Sequence, residues 1–135
     1  IATAGGGSSS SSEAGSIGVG FSIPSNIVKR VTDEIIADGS ASHGLLGAMV
    51  GNAADAENSK VAGALISDVT SGGAAAQAGL KAGDVVTEFD GVPVRDATDL
   101  TAQVRALAAG AKASLVYVRD GKTQSADVTL GELTE

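Results

Sequence analysis

The sequence predicts an α+β fold: a small, partly open β-barrel or sandwich of five to six strands with two helices, preceded by one further strand and helix. Short apolar segments separated by glycine-bearing turns recur through the chain after residue 43, which is typical of strands. Two Ala-rich segments lie between them and are typical of helices. Hydrophobic residues make up 43% of the 135 residues but aromatic residues only 2%, so we expect a core of Val, Leu, Ile and Ala.

The first part of the chain begins with a Gly/Ser-rich segment, residues 5–16, which we interpret as a linker or a long surface loop. Residues 16–23 then alternate as a strand does, and Pro24 ends that strand. A helix follows, with Ser25 or Asn26 as its cap and Gly39 just after its end. Its apolar stripe consists of Ile27, Val28, Val31, Ile35 and Ile36.

The polar residues 39–43 form the predicted linker between two parts, residues 1–38 and a domain of residues 44–135. The strands predicted for that domain are Leu45–Gly51, Gly63–Val69, Asp84–Phe89, Ala113–Arg119 and Ser125–Leu130. The helices predicted for it are a short one at Ala74–Ala78, closed by Gly79, and an amphipathic one from Ala97 to Ala109, capped by Asp96 or Thr98 and ended by Gly110. A tight turn is expected at Asp90-Gly91.

The composition argues against several kinds of function. Cysteine is absent, which excludes disulfides and thiolate metal sites. The net charge of −7 disfavours nucleic acid and anionic membrane surfaces as partners. His43 is the only histidine and stands in a polar connector, where we expect an ordinary exposed side chain. A serine nucleophile needs an adjacent base and a metal needs several convergent ligands, so we expect no catalytic residue, no metal and no cofactor.

A binding site is the remaining possibility. Residues 44–50 run from a glycine-bearing turn into a strand, so the turn can direct N–H groups at an anion and the strand can offer an edge to a peptide. Leu100, Val104 and Leu107 form one apolar stripe on the following long helix. A stripe beside that strand would make a groove for a peptide C-terminus. Alternatively, the stripe is plain core and Gly47 only a bend.

Residues 72–94 carry a specific resemblance. The segments AGLKAGDV at 78–85 and DGVPV at 90–94 resemble, in sequence and spacing, the pattern of bacterial PDZ domains. Ala74 stands where that pattern usually has Pro, which is harmless at a helix start. The resemblance implies a carboxylate-binding loop of Leu45, Leu46, Gly47 and Ala48, in which the last three supply N–H groups. It also implies a peptide groove of Met49, Val50, Leu100, Val104 and Leu107. Ala48 is smaller than the usual Val or Ile and should widen the pocket for the last peptide residue.

The first residues resemble a protease. The segment GVGFSIPSN at 18–26 is similar to the strand and helix start that close the trypsin-like domain of HtrA/Deg serine proteases, and residues 1–4 resemble the end of the preceding strand. The chain is thus identified as a C-terminal fragment of such a protease, with residues 1–38 as the remnant of the trypsin-like β-barrel. The resemblance implies that the catalytic residues lie upstream and that the fragment is inactive.

The same resemblance implies the biological setting. We expect the domain to recognise apolar C-termini of unfolded or substrate proteins, to feed or regulate its own protease domain, and to serve protein quality control. We expect an extracytoplasmic location and a full-length parent protein that is anchored to the membrane. The protein could also form a homo-oligomer. Two other classes stay open: a stand-alone PDZ scaffolding protein, and the PDZ domain of a site-2 metalloprotease or a C-terminal processing protease.

Overall fold

A computed structural model describes residues 2–3, 20–55 and 61–132 of the chain. Its helices are α1 (Ser25–Asp38), α2 (Ala74–Gln77) and α3 (Ala97–Ala106), with a 3₁₀ turn at Ala53–Asp55. Its strands are β1 (Ala2–Thr3), β2 (Gly20–Phe21), β3 (Gly44–Leu45), β4 (Ala48–Asn52), β5 (Ala64–Val69), β6 (Val85–Phe89), β7 (Val92–Pro93), β8 (Lys112–Arg119), β9 (Lys122–Thr129) and β10 (Gly131–Glu132).

The main sheet is antiparallel, with its strands in the order β4-β5-β6-β8-β9 and β7 attached to β6. A separate two-stranded sheet pairs β3 with β10, where Leu45 lies opposite Gly131. The main sheet stays open, because β4 and β9 have no strand neighbour on their outer sides within the described ranges. The predicted α+β class is therefore confirmed, and the sheet does not close into a barrel.

A single core lies between the main sheet, α2 and α3. Its largest fully buried apolar side chains are Phe89, Ile66, Leu100, Leu115, Val86 and Val128. Most of them are aliphatic, as the composition predicts, and Phe89 is the only phenylalanine in this cluster. The spacing of apolar residues along the strands and helices places these side chains on the inner faces. Burial of their apolar surface therefore drives the packing of the helices against the sheet.

The predicted bounds of one strand and one helix near the loop at Gly47 are wrong. The strand predicted at Leu45–Gly51 is broken between β3 and β4, because Gly47 adopts a left-handed φ of +69°. The helix predicted to reach Ala109 ends at Ala106, because Leu107 is extended (φ −91°, ψ 156°). The Leu107 carbonyl accepts the N–H of Gly44 at 2.8 Å, a tertiary contact that competes with helix continuation.

Strand β9 begins three residues earlier than predicted. A two-residue turn at Asp120 and Gly121, with φ angles of +51° and +74°, joins it to β8. Positive φ at both positions matches the right-handed twist of a hairpin. The predicted turn at Asp90 and Gly91 has the same character, with φ angles of +49° and +77°. The Asp-Gly pair at 120–121 was therefore a readable signal for the longer strand.

The first part of the chain is described only in pieces. Of the strand predicted at 16–23, Gly20–Phe21 is present and pairs with Ala2–Thr3, whereas residues 16–19 and the predicted loop at 5–16 lie outside the described residues. Helix α1 forms as predicted, although Pro24 and not Ser25 or Asn26 occupies the N-cap position. No residue of α1 is buried.

The linker contacts both parts of the chain. Glu34 accepts the Ser42 N–H at 2.7 Å, and Arg30 donates to the Ser42 carbonyl at 3.0 Å. The hydrogen bond from the Ser42 N–H, and then the one from Arg30, lower the pKa of Glu34 below its ordinary value. The Ser42 hydroxyl also accepts the N–H of Ala109 at 3.3 Å. We propose that residues 39–43 are the domain boundary, since α1 adds no buried side chain to the core.

An ion pair anchors the turn before β6. Asp84 is 1% exposed, and its two carboxylate oxygens accept Nε and Nη2 of Arg119, each at 2.7 Å. One of these oxygens also accepts the Lys81 N–H at 2.8 Å. Arg119 further donates to the Gly79 carbonyl at 2.9 Å and lies 5.0 Å from the Tyr117 ring centre. The hydrogen bonds to Asp84 raise the pKa of Arg119, and all these contacts fasten β8 to the chain that follows α2.

Replacing Asp84 with Ala is expected to lower the free energy of unfolding by about 2–4 kcal/mol, because the Lys81 N–H and the Arg119 guanidinium lose a buried acceptor. The matched control is Asp68→Ala, which removes the same charge from an exposed position of β5. Its effect should stay within about 0.5 kcal/mol. Urea unfolding followed by circular dichroism measures both variants, and equal losses would contradict the anchoring role.

Candidate functional site

The loop between β3 and β4 is held by hydrogen bonds to its carbonyl groups. The carbonyl of Leu46 accepts the Ala75 N–H at 2.7 Å, and the carbonyl of Gly47 accepts the Thr70 N–H at 2.9 Å. The N–H groups of Leu46 and Gly47 themselves have no acceptor among the residues that the structure describes. Two adjacent free donors in a turn form a small anion-binding concavity.

The close approach of two glycines holds this loop in shape. A Cβ on Gly47 would lie 3.1 Å from the Cα of Gly73 and 3.4 Å from the Ala74 nitrogen. The left-handed φ of Gly47 adds a second reason against a side chain, because L-residues rarely adopt it. Leu46, by contrast, is 6% exposed and fixes the loop in the core. Steric room and conformation together therefore require glycine at position 47.

A groove extends from this loop between β4 and α3. It contains a cavity of about 180 Å³. Its lining residues are Gly44, Leu45, Leu46, Gly47, Ala48, Val50, Leu100, Thr101, Val104 and Arg105. An apolar cavity of about 150 Å³ is large enough for benzene, so this one has room for a single apolar side chain. The groove also runs along the outer edge of β4, where no strand is paired in the described part of the chain.

A second cavity, of about 360 Å³, continues the groove away from the loop. Its lining residues are Val50, Ala97, Thr98, Thr101, Ala102 and Arg105. Val50, Thr101 and Arg105 line both cavities and mark where they meet. The site is thus an elongated groove with two donors at one end and an apolar pocket beside them.

Most residues predicted for the site lie together around the first cavity. The four predicted loop residues, together with Val50, Leu100 and Val104, all line it. Met49 does not; it is 67% exposed and lines a separate cavity on the other side of the loop, near Thr70 and Gln77. Leu107 lies beyond the helix end, where it packs against the core. The roles of all these residues in binding stay predictions.

Thr101 and Arg105 were missed by the sequence reasoning. Both are polar neighbours of the apolar stripe, at the positions directly after Leu100 and Val104 on α3. A search for apolar positions alone passes over them. The helix periodicity did contain the signal, since positions 101 and 105 are one turn apart and share a face.

The sequence predicts an ordinary exposed side chain at His43, whereas the structure shows a half-buried one. Its Nδ1 lies 3.0 Å from the Arg105 carbonyl, so the linker is attached to the last turn of α3. Within the described ranges, no three His, Cys, Asp or Glu side chains are grouped so that they could hold a metal ion. None of the helices in these ranges is long and apolar enough to cross a membrane.

Comparison with known proteins agrees with this geometry. The profile of the PDZ domain family matches residues 15–130. The chain belongs to the PDZ domain family. Its open edge strand, glycine loop and neighbouring helix are accordingly the elements of a PDZ domain.

The curated relatives of this PDZ domain are serine proteases. The chain is 44% identical over 128 residues to the serine protease PepD of Mycobacterium tuberculosis. That alignment covers 94% of this chain and 26% of PepD. The chain is 37% identical over 129 residues to the periplasmic serine endoprotease DegP of Escherichia coli. That alignment covers 91% of this chain and 27% of DegP. The chain thus spans about a quarter of the length of these relatives.

Solved structures of HtrA-type proteases share its fold. The protease AlgW with a decapeptide matches with a TM-score of 0.68 and 30% identity, over 90% of this chain and 39% of that one. The serine endoprotease from Yersinia pestis matches with a TM-score of 0.62 and 26% identity, over 87% of this chain and 39% of that one. The resemblance to HtrA/Deg proteases inferred from the sequence is confirmed.

Replacing Gly47 with Val is expected to lower the free energy of unfolding by about 2–3 kcal/mol. A β-branched residue at this φ is strained, and its Cβ would press on Gly73. Gly51→Val is the matched control in β4, where φ is not left-handed and the nearest atom to a new Cβ is the Ser67 hydroxyl at 3.7 Å. Thermal unfolding compares the two variants. If both melted at the same temperature as the parent protein, position 47 would not require glycine.

Proposed function

We propose that this PDZ domain binds the C-termini of proteins that end in an apolar residue. The observation that carries the proposal is the pair of N–H groups on Leu46 and Gly47, which lie at the start of the edge strand β4 and have no acceptor among the described residues. A terminal carboxylate is an anion that these groups can bind, and the preceding peptide can add a strand beside β4. The last side chain would then enter the 180 Å³ pocket between Leu100 and Val104.

The site residues divide into two roles in this proposal. The backbone of Leu46, Gly47 and Ala48 binds the carboxylate, while the side chains of Leu45 and Ala48 border the pocket. Val50, Leu100 and Val104 supply the apolar wall. Met49 and Leu107 lie outside the pocket. Met49 would contact the peptide from the exposed face of β4, and the carbonyl of Leu107 accepts the Gly44 N–H and so holds the start of the loop.

Peptides that end in a free carboxylate after an apolar residue should bind with micromolar to high-micromolar dissociation constants, or about −6 to −8 kcal/mol, as expected for a small transient contact. Amidation of the C-terminus should weaken binding by about 1.5–3 kcal/mol, because it removes charge-assisted hydrogen bonds. Acetylation of the peptide's N-terminus is the control and should have little effect. Isothermal titration calorimetry measures all three peptides, and equal binding of acid and amide would refute a carboxylate site.

We further propose that the chain is the C-terminal part of a trypsin-like serine endopeptidase of the HtrA type. The serine protease relatives, about four times its length, support this, as does the pairing of Ala2–Thr3 with Gly20–Phe21, which fits the end of a protease barrel. The PDZ domain would recruit unfolded or substrate proteins, or regulate the protease domain, in protein quality control. The periplasmic relatives support an extracytoplasmic location; a membrane anchor and a homo-oligomer belong to the same proposal.

The proposed division of labour predicts that residues 1–135 alone have no protease activity. A serine nucleophile needs an adjacent base, and the single histidine of the sequence, His43, has its Nδ1 3.0 Å from the Arg105 carbonyl. A fluorophosphonate probe should label the full-length parent protein and leave this chain unlabelled. Casein cleavage should follow the same pattern. Labelling of residues 1–135 that survives repurification would disprove inactivity, and an unlabelled, folded parent would disprove the serine protease assignment.

A further inference from the structure

The outer edge of β9 is a second open edge of the main sheet, and the proposed peptide site does not use it. All 8 residues of β9 pair with β8 on one side, in a register without a shift. On the other side no strand lies beside β9 in the described ranges. An unpaired strand edge presents backbone N–H and C=O groups that can pair with a further strand.

The hairpin register determines which backbone groups of β9 face outward. The two-residue turn between β8 and β9 is flanked by Arg119 and Lys122, and the flanking pair of such a turn is hydrogen-bonded. Hydrogen-bonded pairs alternate along an antiparallel ladder, so the even-numbered residues of β9 bond to β8. The N–H and C=O groups of Thr123, Ser125 and Asp127 consequently face outward.

The C-terminal end of β9 is less open than its beginning. Helix α2 packs close to this end, and Thr129 borders the same cavity as Gln77 of α2. Leu130, the next even-numbered residue, donates its N–H to the Ala111 carbonyl at 2.9 Å, in agreement with the alternation. The open part of the edge is therefore residues 123–127.

Residues 123–127 lack the devices that usually prevent an edge from pairing. The segment contains no proline and no lysine, and no bulge interrupts its pairing with β8. By contrast, the other edge strand, β4, has a bulge between Met49 and Val50. Four of the five side chains at 123–127 are exposed, and Ala126 is half-buried. The segment is thus a regular and accessible edge.

A second copy of this chain is complementary to the edge. An antiparallel pairing about a two-fold axis at Ser125 places this residue opposite its own counterpart, and Thr123 opposite Asp127 of the second copy. Each threonine hydroxyl can then donate to an aspartate carboxylate across the strands. The two Asp127 residues are four positions apart, about 14 Å along the strands, which exceeds the Debye length of about 10 Å at 0.1 M salt.

We propose that residues 123–127 are a dimerisation edge, through which two copies of this chain pair β9 with β9 around Ser125. The peptide groove lies at the opposite edge of the sheet, beside β4, so both grooves stay open in the dimer. A contact that uses the same surface of both copies closes at two copies. Because two short strand edges bury little surface, we expect a weak dimer with a high-micromolar to millimolar dissociation constant.

Sedimentation equilibrium of the whole chain, from micromolar to millimolar concentration, should show monomers and dimers. Ser125→Pro removes the outward N–H without removing a hydrogen bond to β8, and an edge strand tolerates proline at such a position. It should weaken dimerisation by roughly ten-fold or more, because two hydrogen bonds between the copies are lost. Ser125→Ala is the matched control: it keeps the N–H and should dimerise as the parent chain does.

A charge exchange at the same position tests the register independently of proline. In Ser125→Lys and in Ser125→Glu, like charges face each other across the two-fold axis, so each variant alone should dimerise less than the parent chain. An equimolar mixture of the two variants should form mixed dimers more readily than either variant alone. Equal association of the mixture and the single variants would refute the pairing around Ser125. Circular dichroism verifies that each variant is folded.

Hydrogen exchange measured by NMR gives the pattern for each residue. The N–H groups of Thr123, Ser125 and Asp127 should become protected as the concentration rises, whereas those of Gln124 and Ala126 should be protected at every concentration. A chain that stays monomeric, or a dimer that Ser125→Pro leaves intact, would refute the dimerisation edge. Assemblies larger than a dimer would also refute it, because they indicate a head-to-tail contact between β9 and another surface.

The same variants separate this inference from the proposed peptide binding. Ser125→Pro should bind a peptide with an apolar C-terminus as tightly as the parent chain does, and the peptide should not dissociate the dimer. Dissociation by the peptide would mean that β4 takes part in the contact and would contradict pairing through β9. If no peptide bound, the proposed function would fail while the dimerisation edge stood.

Discussion

The left-handed turn at Gly47, packed against Gly73, is the constraint on which the binding surface depends. Without it, β3 and β4 would form one continuous strand, as the apolar pattern of residues 45–51 alone predicts. The turn sends Leu46 into the core, and the N–H groups of Leu46 and Gly47 have no acceptor in the part of the chain that the structure describes. It also sets β4 beside α3, so one backbone conformation creates both the donor pair and the groove.

This turn is supported by contacts that lead to the buried ion pair. Ala75 in α2 donates to the Leu46 carbonyl, and α2 ends close to Gly79, whose carbonyl accepts Arg119. Arg119 in turn binds Asp84 through two hydrogen bonds. A charge pair distant from the groove thus helps to position the short helix against which the binding loop rests. Such buried pairs are costly to break from one side, which makes the arrangement well defined.

In the proposed peptide site, affinity and selectivity would be divided between backbone and side chains. Backbone donors at Leu46 and Gly47 can bind any terminal carboxylate, so they carry no sequence information about the peptide. Selectivity in this proposal would come from the side chains around them, such as those that line the pocket between Leu100 and Val104. The linker reaches the end of this same helix: His43 Nδ1 lies 3.0 Å from the Arg105 carbonyl, and the Ser42 hydroxyl accepts the N–H of Ala109 just beyond the helix. The peptide groove and the chain that precedes it therefore share α3.

The sequence by itself determined the fold class, the longer strands and helices and the position of the glycine loop, because apolar periodicity, glycine-bearing turns and the AGLKAGDV segment are local signals. The short strands β7 and β10 were not predicted. Tertiary structure decided the break at Gly47, the early end of α3 at Ala106 and the position of Arg105 where two cavities meet. Each of these depends on contacts between residues far apart in the chain. Gly73 faces Gly47, Gly44 donates to the Leu107 carbonyl, and β4 lies beside α3; local propensity contains no information about such pairs.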